Sequence, residues 1–241
     1  MLRFWTSLAI FFALTANVLA APVKYKTAPP PSADLHYAIQ ALQKGISIKG
    51  NGVVQWRNAN GKYLATTEIR AMLLGKILEE KSEGTLDAFG LAPTAFTEKR
   101  MRKSPVTVSF KRDAKRIQFG ATEETSPLEG GEQDRSSVTW QLASVARAAN
   151  AKFKPGSTWK FQVAGRKDVQ AWTFKVMQQE KIKTPMGELT TMRILRLPSD
   201  PKDQKIEIWL APSHNWYPVK LRIAEPDGDY VEQTVESITK K

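Results

Sequence analysis

The chain has no cysteine and only two histidines in 241 residues. The first absence excludes disulfide scaffolds, thiolate zinc sites, iron–sulfur clusters and cysteine nucleophiles together, and the second leaves little for metal ligation or imidazole base chemistry. His36 and His214 fall in no His-x-His, His-Glu-x-x-His or acidic calcium-loop spacing, so neither a metal nor a cofactor is expected. No Gly-x-Ser-x-Gly elbow presents a serine. Gly50-Asn51-Gly52 and Gly130-Gly131 lack the lysine and the strand-to-helix setting of a phosphate loop, and both read as turns. Acids are the scarcer charge, 24 against 36 Lys and Arg, which gives a formal net charge of +12. With 41% hydrophobic residues the composition is that of an ordinary globular protein, neither disordered nor polytopic.

Long apolar runs are also missing, except at the amino terminus. Arg3 is followed by Leu8 to Leu14 and then by Val18-Leu19-Ala20, the small or compact residues that signal peptidase reads at its -3 and -1 positions. Cleavage is expected after Ala20. Thr6, Ser7 and Asn17 interrupt the stretch, which falls short of the roughly 20 residues that span a bilayer, so no integral anchor should remain. The expected product is a soluble, basic, periplasmic protein, and export argues against a nucleic-acid partner. Residues 21–33 carry Pro29-Pro30-Pro31 and read as an extended linker.

From Asp34 the apolar residues alternate: Leu35, Tyr37, Ile39 and Ala41, then Val54 and Trp56, then Tyr63, Ala65, Thr67 and Ile69. A period of two means one buried and one wet face, the mark of antiparallel sheet. Asn60-Gly61 predicts a hairpin turn, because both positions tolerate positive φ. One stretch changes period. Val138, Leu142, Val145 and Ala149 recur at helical spacing, predicting a single helix near 133–149, with Asp134 or Ser136 accepting from its first amides and Asn150 as a left-handed stop. Residues 34–239 thus form one domain of about ten to twelve strands. The expected architecture is mainly β, a curled antiparallel sheet forming a half-barrel or open barrel, covered by one amphipathic helix.

Three groups could carry chemistry. Glu79, Glu80, Glu83 and Asp87 are possible acid–base carboxylates, although such residues are common on solvated strand faces. From Glu98 to Arg116, Lys99, Arg100, Arg102, Lys103, Lys111, Arg112, Lys115 and Arg116 face only Glu98 and Asp113. This stretch reads either as a basic lip for anionic groups or as charges that protect a sheet edge. Of the seven tryptophans, Trp56, Trp159, Trp172 and Trp209 sit in alternating runs and read as core or cavity lining. Trp140 lies off the main helical stripe, where it could face a cavity mouth.

Ser82-Glu83-Gly84, Gly90-Leu91-Ala92-Pro93, Phe96-x-Glu98-x-Arg100, Gln133-Asp134-Arg135-x-Ser137, Gln141-Leu142-Ala143, Thr184-Pro185-Met186-Gly187 and Trp209-Leu210-Ala211-Pro212 with Pro218-Val219 occur in this order. In order and spacing the chain resembles the bacterial domain-of-unknown-function 3108 family. The resemblance implies an exported protein of Gram-negative bacteria and supplies no catalytic residues. The run from Trp209 to Leu221 is also similar, at fold level, to outer-membrane lipoprotein carriers, which have a curved sheet over a hydrophobic groove. Read from the residues alone, Gln133-Asp134-Arg135 begins the helix with a cap, and whether Asp134 and Arg135 are structural or functional is open.

Together these observations predict a non-enzymatic binder of an amphiphilic or anionic envelope molecule. Its acyl part would lie against Val138, Trp140, Leu142 and Val145, and its head group or an anionic polymer near Lys99, Arg100, Arg102, Lys103, Lys111 and Arg112. The alternatives are an interaction protein docking an envelope partner through its basic face, and a carboxylate-based enzyme.

Overall fold

A computed structural model describes residues 23–241, and the expected signal peptide, with Trp5 and the cleavage point after Ala20, lies outside the described residues. The described residues form fifteen strands and one α-helix. Before the helix come β1 (Ala33–Gln43), β2 (Ile46–Ala59), β3 (Lys62–Ala71), β4 (Gly75–Asp87), β5 (Gly90–Arg100), β6 (Val106–Lys111), β7 (Arg116–Gln118) and β8 (Thr125–Pro127). A two-residue strand, β9 (Gln133–Asp134), leads into α1 (Ser137–Ala149). After it come β10 (Thr158–Ala164), β11 (Val169–Thr184), β12 (Gly187–Leu197), β13 (Lys205–Ala211), β14 (Tyr217–Ala224) and β15 (Tyr230–Lys240).

All fifteen belong to one sheet, ordered β8-β7-β6-β5-β4-β3-β2-β1-β15-β14-β13-β12-β11-β10-β9. Each neighbour is antiparallel except β9, which runs parallel to β10. The pairing of β1 with β15 joins two meanders into a continuous surface. The sheet curls until Ala164 of β10 packs with Phe96, Val108 and Phe110 of β5 and β6, but its terminal strands β8 and β9 share no ladder, so it is not closed into a barrel. Curling lets the single helix cover the inner face, as the amphipathic stripe predicts.

Alternation sets which side chains point inward. In β1, Ala33, Leu35, Tyr37, Ile39 and Ala41 are buried while His36 and Gln40 are exposed. Asn60 and Gly61 both have positive φ, 53° and 70°, and make the hairpin between β2 and β3. Gly50 and Gly52 are not in a turn, as their composition suggested, but inside β2. A Cβ on Gly50 would lie 2.1 Å from the Arg70 carbonyl oxygen, so this glycine serves close approach of two strands. Gly84 plays the same part at the register shift between Glu83 and Gly84, where a Cβ would meet the Ala92 oxygen at 2.2 Å.

The helix starts later than its sequence pattern predicts, at Ser137, because Gln133 and Asp134 are used otherwise. Their backbone extends the sheet beside Val163 and Ala164, and the Gln133 amide donates to the Leu91 carbonyl at 2.7 Å. Asn150 ends the helix at φ 45°. The strand count exceeds the expected ten to twelve because β7, β8 and β9 are too short to show alternation.

In a meander alternate turns share an end of the sheet. Turns 44–45, 72–74, 101–105, 165–168, 198–204 and 225–229 lie at what we term the upper end. The lower end is filled. Residues 23–32 run extended beneath it, with Ala28 N–H donating to Ser144 O, Trp56 Nε1 donating to Pro30 O and Tyr217 Oη donating to Pro31 O, each at 2.9 Å. Tyr25 packs edge-on against Trp159 and Phe161. No helix among the described residues is long and apolar enough to cross a membrane.

Candidate functional site

Above the filled end the interior is hollow. A cavity of about 790 Å³ lies between the inner face of the sheet and the first turns of α1, within the ~300–1,000 Å³ of small-molecule sites. Its apolar wall includes Tyr37 and Ile39 of β1, Ile69 of β3, Phe174 of β11, Ile208 of β13 and Val231 of β15. Leu74 and Met101, from turns 72–74 and 101–105, reach its mouth at the upper end.

Val138 and Trp140 line the cavity. Leu142 and Val145 do not; both are fully buried against Phe161, Phe174 and Ile194 on the other half of the sheet. Trp140 forms the floor rather than the mouth. Its ring stacks on Trp56 at 4.3 Å and 9°, and Trp56 in turn stacks on Tyr63 at 5.8 Å. Trp172 also lines the cavity, whereas Trp159 packs beside Tyr25 and Phe153, and Trp209 is held by the Glu180 carboxylate, Arg193 and Lys220.

Charged side chains form a band across the opening. Glu80 of β4, Glu98 and Arg100 of β5, Arg135 ahead of the helix, Arg196 of β12 and Asp203 all line the cavity. Glu80 and Glu98 are directly opposite across the β4–β5 ladder. Glu98 is 4% exposed and accepts from Arg100 Nε at 2.9 Å, with Arg166 Nη1 at 3.8 Å. Glu80 has no such partner among the described residues. It meets solvent through the cavity while protein surrounds it, and this burial, reinforced by the charges of Glu98 and Asp134 against those of Arg100 and Arg135, pushes its carboxyl up to about 7.

Below the band lies a buried polar network. Asp134 is fully buried; its Oδ2 accepts from Ser82 Oγ at 2.6 Å, and its Oδ1 accepts from the Ser136 and Ser137 amides at 2.9 and 2.7 Å. Asp134 therefore caps the helix from two residues ahead of Ser136, whose own side chain makes no cap bond. Ser82 Oγ also bonds Tyr63 Oη at 3.0 Å. Burial outweighs these hydrogen bonds and raises the Asp134 carboxyl to about 6. Asp134 is thus structural in position, while Arg135 is exposed and turned to the cavity. Arg196 stands opposite, 4% exposed, its guanidinium 4.5 Å over the Trp172 ring and bonded to Asp203 Oδ2 at 3.2 Å. Its buried Nε finds no acceptor among the described residues.

The basic stretch is split by the fold. Lys99, Arg100, Arg102 and Lys103 lie at the upper end, whereas Lys111 and Arg112 lie at the far end of β6, about 17 Å down the strand. Arg112 is turned to Asp87 and to the Pro93 carbonyl, and only Arg100 of the six lines the cavity. Of the four candidate carboxylates only Glu80 faces inward; Glu79, Glu83 and Asp87 pair with Lys76 and Lys99, Lys81, and Arg112. The two histidines take no part, His36 being on the outer face and His214 bonded to Ser213 in the turn after β13. No group of three or more potential metal ligands occurs among the described residues.

These features define a class: a long antiparallel sheet wound about one helix, barrel-like without closure, with an interior open at one end. Within it, the chain belongs to the family described as a protein of unknown function (DUF3108), whose model matches residues 33–235. A solved β-barrel-like protein of the domain of unknown function DUF1849 from Brucella abortus shares the fold, with a TM-score of 0.55 and 15% identity over 89% of this chain and 99% of that one. Two further structures are more distant. One, from Bacteroides fragilis, is described as a candidate exported protein with a YmcC-like fold (TM-score 0.41, 11% identity, 90% of this chain, 100% of that one). The other, from Vibrio parahaemolyticus, is a domain assigned provisionally to outer membrane lipoprotein sorting (TM-score 0.31, 10% identity, 88% of this chain, 86% of that one). None of the curated proteins matches the chain.

Proposed function

We propose that this is a non-enzymatic binder of an amphiphile in the cell envelope, exported to the periplasm by its amino-terminal signal. The observation that carries the reading is the cavity itself, about 790 Å³ with an apolar wall and a charged band at its opening. An acyl chain or similar apolar body fits against Ile39, Ile69, Val138 and the Trp140 floor. An anionic head is held by Arg135 and by the free Nε of Arg196, so the head-group site moves inward from Lys99 to Lys103. Fluorescent fatty acid added to the protein tests this directly. Saturable uptake that is abolished by Ala41→Trp, which fills the mouth from an inner-face position, and weakened by Arg135→Ala supports the reading. A wild-type protein that takes up no probe and carries nothing releasable in native mass spectrometry overturns it.

One observation favours a second reading, a carboxylate-based envelope enzyme. Glu80 and Glu98 face each other inside the cavity, one with its carboxyl raised to about 7 and without a cationic partner among the described residues, the other bonded to Arg100, two carboxyls in different surroundings of the kind that acid–base chemistry uses. Turnover of an envelope glycan that Glu80→Gln abolishes would decide for it; probe uptake unchanged in the same variant decides for the binder.

A further inference from the structure

Leaving large apolar side chains in water is unusual where they cluster. Five of the seven exposed large hydrophobics among the described residues, Ile46, Met72, Leu73, Leu74 and Met101, are at the upper end around the cavity mouth. Leu73 is 96% exposed and Met72 79%. The turn is held in place: Met72 N–H donates to Lys49 O at 3.0 Å, Leu74 N–H to Ala71 O at 3.2 Å, and Met101 N–H to Ile77 O at 2.9 Å. Cations ring this tip. Lys76 and Lys99 share the acids Glu68 and Glu79 with Arg70, while Lys49, Arg102 and Lys103 enter no ion pair among the described residues.

We propose that turn 72–74, with Lys49, Arg102 and Lys103 beside it, docks the protein onto an anionic lipid bilayer and brings the open end of the cavity to the membrane surface. Three residues on a narrow turn cannot supply the ~800 Å² per partner that a stable protein interface buries. A bilayer asks only for an apolar tip that reaches the boundary between head groups and acyl chains, with basic residues at head-group level. Both parts are present and adjacent. Turns 198–204 and 225–229 of the same rim carry Asp200, Asp203, Glu225, Asp227 and Asp229 against Lys202, so the docked molecule leans on its basic side. Leu74 and Met101 belong both to the tip and to the cavity lining, which makes the apolar surface continuous from membrane to interior.

The inference goes beyond the ligand reading and does not depend on it. It is tested with the chain from Ala21, which contains the whole described fold, by co-sedimentation with phosphatidylethanolamine–phosphatidylglycerol vesicles and with phosphatidylcholine vesicles. Binding is expected to the anionic vesicles, weakened by added salt. Leu73→Asp should reduce it about tenfold or more, and Arg102→Glu with Lys103→Glu should weaken it and flatten the salt dependence. Met177→Asp, at an exposed apolar residue of β11 outside the tip, should leave it unchanged, and Ala41→Trp should still bind vesicles even where it excludes the fatty-acid probe. Melting curves check that each variant is folded, and the emission of Leu73→Trp should shift to the blue on vesicle addition. Absence of binding by the wild type, or equal binding by Leu73→Asp, overturns the proposal. So does a change in the protein's own sedimentation with Leu73→Asp, which would make the turn a contact between copies.

Discussion

The two ends of this sheet are built from the same strands and the same alternation, yet one is solid and the other hollow. At the lower end the inner positions of β2, β3 and β14 are Trp56, Tyr63 and Tyr217, and the Trp140 ring and residues 28–31 fill what remains. Higher on β4 and β5 the inner positions are Glu80, Glu98 and Arg100. Aromatic residues close an interior because each buries a large apolar area, whereas a carboxylate or guanidinium facing inward must keep water or a partner beside it. A charged residue placed on the buried parity therefore makes a cavity as surely as it breaks a core.

Mutations can break this contrast from either side. Trp140→Ala removes the floor shared by both ends and should cost about 3–5 kcal/mol, seen as a lower urea midpoint. Asp134→Ala takes the acceptor from the Ser136 and Ser137 amides and strands Ser82, for an expected loss of about 2 kcal/mol by the same assay. Glu80 gives a pH test. Its carboxyl stands at about 7 in the folded protein against an ordinary 4.5, so the fold holds a proton that the unfolded chain has released. The stability tied to that proton is complete below about 4.5 and is lost as pH rises to about 7. Melting temperature should fall by several degrees across this window, and Glu80→Gln should flatten the fall. Arg135→Ala, exposed and facing the cavity, should change stability by no more than about 0.5 kcal/mol while weakening probe binding about tenfold.

Much of the architecture was legible because inner-face residues announce themselves by parity. The same parity would have found the charged band: Glu80 falls in step with Leu78 and Ser82, and Glu98 and Arg100 with Phe96, all on the inner face. It would have found Arg196 as well, which follows the buried Ile194 in step. Other features had no local signal. That Lys99 and Lys111 lie at opposite ends of a hairpin follows from the length of β6, not from charge. Likewise Leu142 and Val145 share a stripe with Val138, but the other half of the curled sheet covers them, a long-range contact that helical spacing does not encode. The role of Asp134 is hidden in the same way, because the serine it meets is in β4, 52 residues earlier.

The Trp56–Trp140 stack has an optical consequence. Two nearly parallel indoles 4.3 Å apart couple their electronic transitions, and one of them is the cavity floor. A guest that reaches this floor perturbs the pair, so circular dichroism and intrinsic fluorescence report occupancy without a label. The protein carries its own gauge of whether its interior is filled.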